Sequence, residues 1–190
     1  MKIGMFTGST YGNTRAAADR LELIFKQVEI SVDHFDIAFV PITKLLEYDV
    51  LLIGCSTWYV GEIQDDWHPK FDQLATLELT GKRVAFFGMG DQFTYSASFQ
   101  DALGDLATRC EQRGARLIGS TSTDGYSFSA SRAARDGRFV GLALDDDNQA
   151  KLTEPRLQAW ARQLIRELSL ESVPQLLEAQ LQDAQLQEAI

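Results

Sequence analysis

No stretch of this chain approaches the roughly eighteen consecutive apolar residues of a membrane-spanning helix, so no membrane partner is expected. Positive charge is short too: Lys and Arg number 18 against 27 Asp and Glu, a net charge of −9. Nucleic acid is thereby excluded as a partner, because a phosphate backbone needs a basic face. Cysteine is scarce. Cys55 and Cys110 each fall in an apolar element and read as reduced core residues, which fits a cytoplasmic protein. His34 and His68 have no cysteine or histidine neighbour at metal-ligand spacing, so no metal site is expected. The first residues run straight into an apolar segment with no basic region ahead of it, and no secretory signal is expected.

What is present suits one ordinary globular domain: 190 residues, 45% apolar and 24% charged. Short apolar runs alternate with helical periods. Strands are expected over residues 2–6, 28–35, 50–54, 83–88 and 116–120, and helices over 13–27, about 67–75 and 98–113. A last helix is expected to begin with Thr153 as N-cap and Pro155 in its first turn. It carries Leu157, Trp160, Ala161, Leu164, Ile165 and Leu168 as one buried stripe. Strict alternation implies a parallel sheet covered on both faces, a doubly wound α/β fold. Residues 121–138 break the period with a glycine- and serine-rich stretch, and 138–144 read as strand again. This is an insertion within or beside the last strand. The domain is expected to span 1–170, with 171–190 a helical acidic extension. In it Ser172 and Gln175 form a capping box ahead of a stripe of Val173, Leu176, Leu177, Leu181 and Ala184.

The segment Thr7-Gly8-Ser9-Thr10-Tyr11-Gly12-Asn13-Thr14 joins the first strand to the first helix. Unpaired backbone N–H groups at a helix N-terminus attract an anion, and the short hydroxyls here add neutral donors. No Lys or Arg lies inside the loop, which points to a monoester phosphate and not to a triphosphate with its magnesium. Spacing excludes two familiar alternatives. Gly12 is followed by Asn13 and not by the lysine of a Walker loop, and Gly8 and Gly12 do not make GxGxxG.

Two further loops leave the same sheet edge: Gly54-Cys55-Ser56-Thr57-Trp58-Tyr59-Val60-Gly61-Glu62 and Gly88-Met89-Gly90-Asp91-Gln92-Phe93-Thr94-Tyr95. Trp58 and Tyr95 stand among glycines there. Aromatic faces beside a phosphate site suggest a flat conjugated ring with a phosphorylated tail.

On these motifs, together with Thr123-Asp124-Gly125-Tyr126, residues 1 to about 170 resemble the flavodoxins of the long-chain type. The resemblance implies a five-stranded parallel sheet in the order 2-1-3-4-5 and one non-covalent FMN. The stretch 121–138 matches the insertion that separates long-chain from short-chain members. It further implies that Ser9, Thr10, Tyr11, Gly12, Asn13, Thr14 and Thr57 hold the phosphate, while Trp58 and Tyr95 flank the isoalloxazine. Gly90, Asp91 and Gln100 would lie along the pyrimidine edge. The Tyr59–Val60 peptide, followed by Gly61, would face N5. Arg15 departs from the family pattern, which often has glutamate there, and 171–190 is an addition.

The function implied is a low-potential one-electron carrier, not a catalyst. It would be a monomer docking transiently on the basic faces of a flavodoxin reductase and of acceptor redox proteins. An FMN-dependent NAD(P)H quinone-type reductase on the same fold is the alternative, although both histidines lie outside the three loops and no acid or base is committed to a substrate. A signalling receiver module shares the strand order but needs paired acidic residues where this chain has Phe6-Thr7-Gly8.

Overall fold

Strand β1 (Ile3–Thr7) is buried at every position, as a central parallel strand flanked on both edges must be. Its side chains alternate between the two faces: Ile3 and Met5 enter one core, Phe6 the other. In the computed structural model, which describes residues 1–168, β1 is followed by α1 (Asn13–Gln27), β2 (Asp33–Asp36), β3 (Val50–Gly54), and a small hairpin of β4 (Thr57–Trp58) and β5 (Glu62–Ile63). Then come α2 (His68–Leu74), β6 (Arg83–Met89), α3 (Asp101–Gln112), β7 (Arg116–Leu117), β8 (Thr121–Ser122), β9 (Ala134–Arg135), β10 (Arg138–Phe139), β11 (Leu142–Leu144) and α4 (Asp146–Glu167). The expected extension 171–190, with its capping box of Ser172 and Gln175, lies outside the described residues.

The main sheet runs β2-β1-β3-β6 in parallel, and its last position is shared. β7 pairs with Arg83 and Val84 at the start of β6; β11 pairs with Phe87 to Met89 at its end. The expected order 2-1-3-4-5 is therefore present, with the fifth strand cut by the insertion. Helices α1 and α4 cover one face around Leu21, Phe25, Trp160 and Leu164, and α2 and α3 cover the other around Trp67, Leu103 and Leu106.

Several boundaries differ from expectation. β2 begins at Asp33 and not at 28, because Val28 caps α1 and Ile30 N–H turns back to Phe25 O at 3.0 Å. The fifth strand stops at Leu117, and Arg138–Phe139 pairs inside the insertion with β8 and β9, not with the main sheet. Phe99 anchors that insertion by touching Tyr126, Phe128 and Phe139 at centroid distances of 5.6 to 5.8 Å. α4 starts at Asp146, capped by Asp145, so Thr153 is interior and not an N-cap. Its hydroxyl donates to Asp146, and the helix is kinked at Gln149.

Candidate functional site

The carboxyl ends of β1, β3 and β6 deliver three loops to one cleft, the place where the strand order reverses in a doubly wound sheet. Its lining comprises Ser9, Tyr11 and Asn13 from the first loop, Ser56, Thr57 and Trp58 from the second, and Met89, Gly90, Asp91 and Tyr95 from the third. Asp146 and Asp147, at the start of α4, close one side. A separate apolar groove between α1 and α4, lined by Leu23, Ile24, Val28 and Ile165, lies on the helical face away from these loops.

The first loop is tied down from below. Gly12, at φ 89°, turns the chain into α1 in a conformation that glycine holds without strain. Ser9 Oγ accepts from Arg15 N–H at 3.2 Å, and Thr14 Oγ1 lies 2.9 Å from Ser56 Oγ, joining the first loop to the second. Gln64 is fully buried beneath the loop; its Nε2 donates to Thr10 Oγ1 at 3.0 Å and to Asp66 Oδ2 at 2.6 Å. A Cβ on Gly8 would lie 2.1 Å from Gln64 Oε1, so that close approach requires glycine. Among the described residues, no hydrogen-bond partner takes the backbone N–H of Thr10, Tyr11 or Gly12. Such a cluster of free donors at a helix N-terminus is an anion site.

The aromatic walls sit on the outer part. Tyr11 and Trp58 lie parallel, with centroids 5.5 Å and planes 7° apart, and Tyr11 is 83% exposed. Tyr59 and Val60 stand out at the tip of the β4–β5 hairpin, and Tyr59 holds φ 43°, a left-handed conformation costly for a side chain with Cβ. Gly61 packs against Asp101 and Arg132, the latter donating to its carbonyl at 2.9 Å.

A buried carboxylate organises the third loop. Asp145 is fully buried and accepts from Gln92 N–H and Nε2 and from Asn148 N–H and Nδ2, at 2.7 to 3.1 Å. Asn148 Nδ2 also donates to Asp91 Oδ1 at 2.9 Å. Phe93 and Thr94 N–H donate to the same oxygen. Burial alone would raise the pKa of Asp91, but these donors outweigh it and hold the carboxyl down at about 2. Nearby, Asp147 is pushed upward, by desolvation first and then by Asp91, Asp145 and Asp146.

Of the residues singled out from sequence, Ser9, Tyr11, Asn13, Thr57, Trp58, Gly90, Asp91 and Tyr95 line the cleft. Thr10, Gly12 and Thr14 shape the first loop, and Tyr59, Val60 and Gly61 form the hairpin tip. Gln100 lies fully buried behind the third loop, its Nε2 donating to Gly88 O and Leu144 O. Its Oε1 has no partner among the described residues. Ser56, Met89, Asp146 and Asp147 also line the cleft, and Gln64 supports it from beneath; none was singled out as a binding residue. Ser56 and Met89 carried a signal, standing inside the quoted glycine-rich motifs. Gln64 carried none.

The fold and cleft define a doubly wound α/β protein with a neutral anion loop beside aromatic walls. The chain belongs to the flavodoxin family, whose sequence pattern, described as Flavodoxin, matches residues 5–160. It is 47% identical over 163 residues to a flavodoxin of Picosynechococcus sp., covering 86% of this chain and 95% of that one. It is 44% identical over 172 residues to flavodoxin 1 of Escherichia coli, covering 90% of this chain and 96% of the relative. Among solved structures, the Fusobacterium nucleatum flavodoxin bound to flavin mononucleotide superposes with a TM-score of 0.83 at 29% identity, covering 87% of this chain and 98% of that one. Like its relatives, the chain is an electron-transfer protein with redox partners and not a catalyst. No helix among the described residues is long and apolar enough to cross a membrane.

Proposed function

We propose that this protein is a low-potential one-electron carrier that holds FMN non-covalently in the cleft between its three strand-end loops. The observation that carries the reading is the donor set of the first loop: free backbone N–H groups with Ser9 and Asn13 at a helix N-terminus, and no cation inside it. That set suits a phosphate monoester. Trp58 and Tyr95 supply aromatic faces in the same cleft, and behind the third loop the fully buried Gln100 has its Oε1 without a partner among the described residues beside Gly88. Arg15, the departure from the family pattern, turns away along α1 to Asp19 at 3.1 Å and leaves the loop neutral.

FMN supplies one-electron transfer at its ring, and the residues of this chain tune it. Trp58 and Tyr95 flank the ring and keep water from its faces. Thr10, Tyr11, Gly12, Asn13, Thr14 and Thr57 hold the phosphate with Ser9. Gly90, Asp91 and Gln100 border the pyrimidine edge. The Tyr59 carbonyl would accept a hydrogen bond from the ring edge, and Val60 and Gly61 would set how that peptide turns. Asp91, Asp146 and Asp147 gather negative charge along one wall and would disfavour added negative charge on a ring bound there. Residues 1–170 make up this flavin-binding unit, and 171–190 are an acidic addition to it. The monomer docks transiently, its acidic rim turned to basic faces of a reductase and of acceptor proteins in the cytoplasm.

Anaerobic potentiometric titration tests the reading. The purified protein should be yellow, release one FMN on denaturation, and take up its electrons in two separate steps, the second at low potential. Failure to bind FMN overturns the proposal. Direct reduction by NAD(P)H in a single two-electron step, with no added reductase, moves it to the quinone-type reductase.

A further inference from the structure

Away from the cleft, α1 and the edge strand β2 bring together three side chains that the carrier function does not use. Asp19 and Glu22 stand three residues apart and so share a face of α1. His34 projects from β2, its side chain only 8% exposed, with Nδ1 3.6 Å from Asp19 Oδ1 and 3.4 Å from Glu22 Oε2. The other ring nitrogen is already engaged: Nε2 lies 2.9 Å from Thr7 Oγ1. The Thr7 hydroxyl has its own acceptor in Phe35 O at 3.5 Å. In the tautomer that carries Nε2–H, Thr7 Oγ1 accepts that proton and the Nδ1 lone pair faces the two carboxylates; in the other tautomer Nδ1–H donates to Glu22, and a metal would replace that proton. A lone pair facing two carboxylate oxygens is repulsive until a cation stands between them.

We propose that Asp19, Glu22 and His34 form a binding site for a divalent transition-metal cation of the zinc class. One nitrogen and two carboxylate oxygens are a normal ligand set for such an ion, with a water completing the tetrahedron on the solvent side. The spacing agrees. Ligands about 2.1 Å from a tetrahedral zinc stand about 3.4 Å apart, and the nitrogen-to-oxygen distances here are 3.4 and 3.6 Å, with all three ligand atoms within 4.8 Å of one another. Thr7 supplies the outer hydrogen bond that orients a ligating imidazole. The geometry also distinguishes zinc from calcium or magnesium, which favour all-oxygen shells. Sequence spacing did not reveal the site because its nitrogen and its oxygens come from different elements.

Arg15 is the competitor, since its Nε bonds the same Asp19 oxygen at 3.1 Å. Bound metal must share that carboxylate or draw it from the guanidinium. The ion would clamp the middle of α1 to β2, one side chain away from the end of β1.

The test is a zinc chloride titration of the FMN-loaded protein, followed by NMR of the imidazole nitrogens. The chain has 2 histidines, His34 and His68, so the assignment is direct. The His34 signals should move to saturation at one equivalent bound, with Nδ1 the coordinated nitrogen, while His68 stays in place. Glu22→Gln, a change at a half-buried residue on the surface of α1, should weaken zinc binding at least tenfold, and Arg15→Ala should strengthen it severalfold. Absence of binding at millimolar zinc overturns the proposal. So does equal movement of both histidines, coordination through Nε2, or affinity unchanged in Glu22→Gln, each of which marks diffuse association with an acidic surface.

Discussion

At the cleft, Asp91 stays ionised because three donors, Phe93 N–H, Thr94 N–H and Asn148 Nδ2, converge on one of its oxygens. Desolvation works against this and loses; the carboxyl titrates at about 2 in place of the ordinary 3.8. The sign of the pH effect follows from the direction. A depressed native pKa adds stability that is present above the unfolded value and lost as pH falls through the native one. Between about pH 4 and pH 2 the wild type should therefore lose stability more steeply than Asp91→Asn, compared by urea unfolding at each pH. Equal slopes would mean that the three donors do not hold the charge. Tyr59 is the second residue to test. It bears φ 43° at the hairpin tip, and a left-handed conformation costs a residue with Cβ about 1–2 kcal/mol. Any turning of the Tyr59–Val60 peptide must be accommodated by that strained residue. If the cost is larger once the peptide has turned, by about 1 kcal/mol, Tyr59→Gly should raise the potential of the first electron by roughly 40 mV, its one-electron equivalent. An unchanged potential rejects the strain argument.

Among the elements, the join between the third loop and α4 depends on one buried carboxylate. Asp145 caps α4 and satisfies Gln92 and Asn148 together, and Gln92 Oε1 in turn accepts Ser127 N–H from the insertion at 2.6 Å. Asp145→Ala leaves those donors buried without an acceptor, and at about 1–3 kcal/mol for a buried unsatisfied group the loss should be about 2–4 kcal/mol by chemical denaturation. Asp145→Asn is no remedy, because its amide presents a donor to donors; it too should weaken FMN binding, measured by flavin fluorescence. If FMN affinity survives both changes, the third loop is held by other contacts. The same network explains what sequence left hidden. Thr153 followed by Pro155 read as a helix start, whereas the helix is capped by Asp145. The acceptor count around Asp145 appears only when Gln92 is brought to it from across the fold. α1 and β3, by contrast, were legible to the residue, because apolar period and the flanking glycines state the same boundaries. The fifth strand was legible only in part. Its halves are a few residues each, too short for a period, and their partner β6 decides where they pair. In the cleft, the hydroxyl loop and Trp58, Asp91 and Tyr95 were visible as motifs, whereas Gln64 acts from the next hairpin and has no local pattern.

For the whole molecule, the consequence of composition is electrostatic. A charge of −9 spread evenly would only aid solubility, but here acidic groups border the redox cleft. Asp91, Asp146 and Asp147 line one side, and Glu62, Asp65 and Asp66 follow the tryptophan loop in the sequence. A carrier must dock with the cofactor edge toward its partner and leave quickly, which favours orientation by field over a large apolar contact. Long-range steering is screened beyond a Debye length of about 8 Å at physiological salt, so its signature is kinetic. Bimolecular electron transfer to a basic redox protein should accelerate as ionic strength is lowered from about 0.5 M to 0.01 M, by tenfold or more if steering governs encounter. Charge-neutralising the rim, with Asp146→Asn and Asp147→Asn together, should flatten that dependence while leaving the flavin potentials of the first step within a few tens of millivolts. Stopped-flow kinetics across salt decides it. A rate that ignores salt in the wild type assigns the acidic rim to tuning the cofactor alone, and a dependence that persists undiminished in the double variant moves the docking face elsewhere on the molecule.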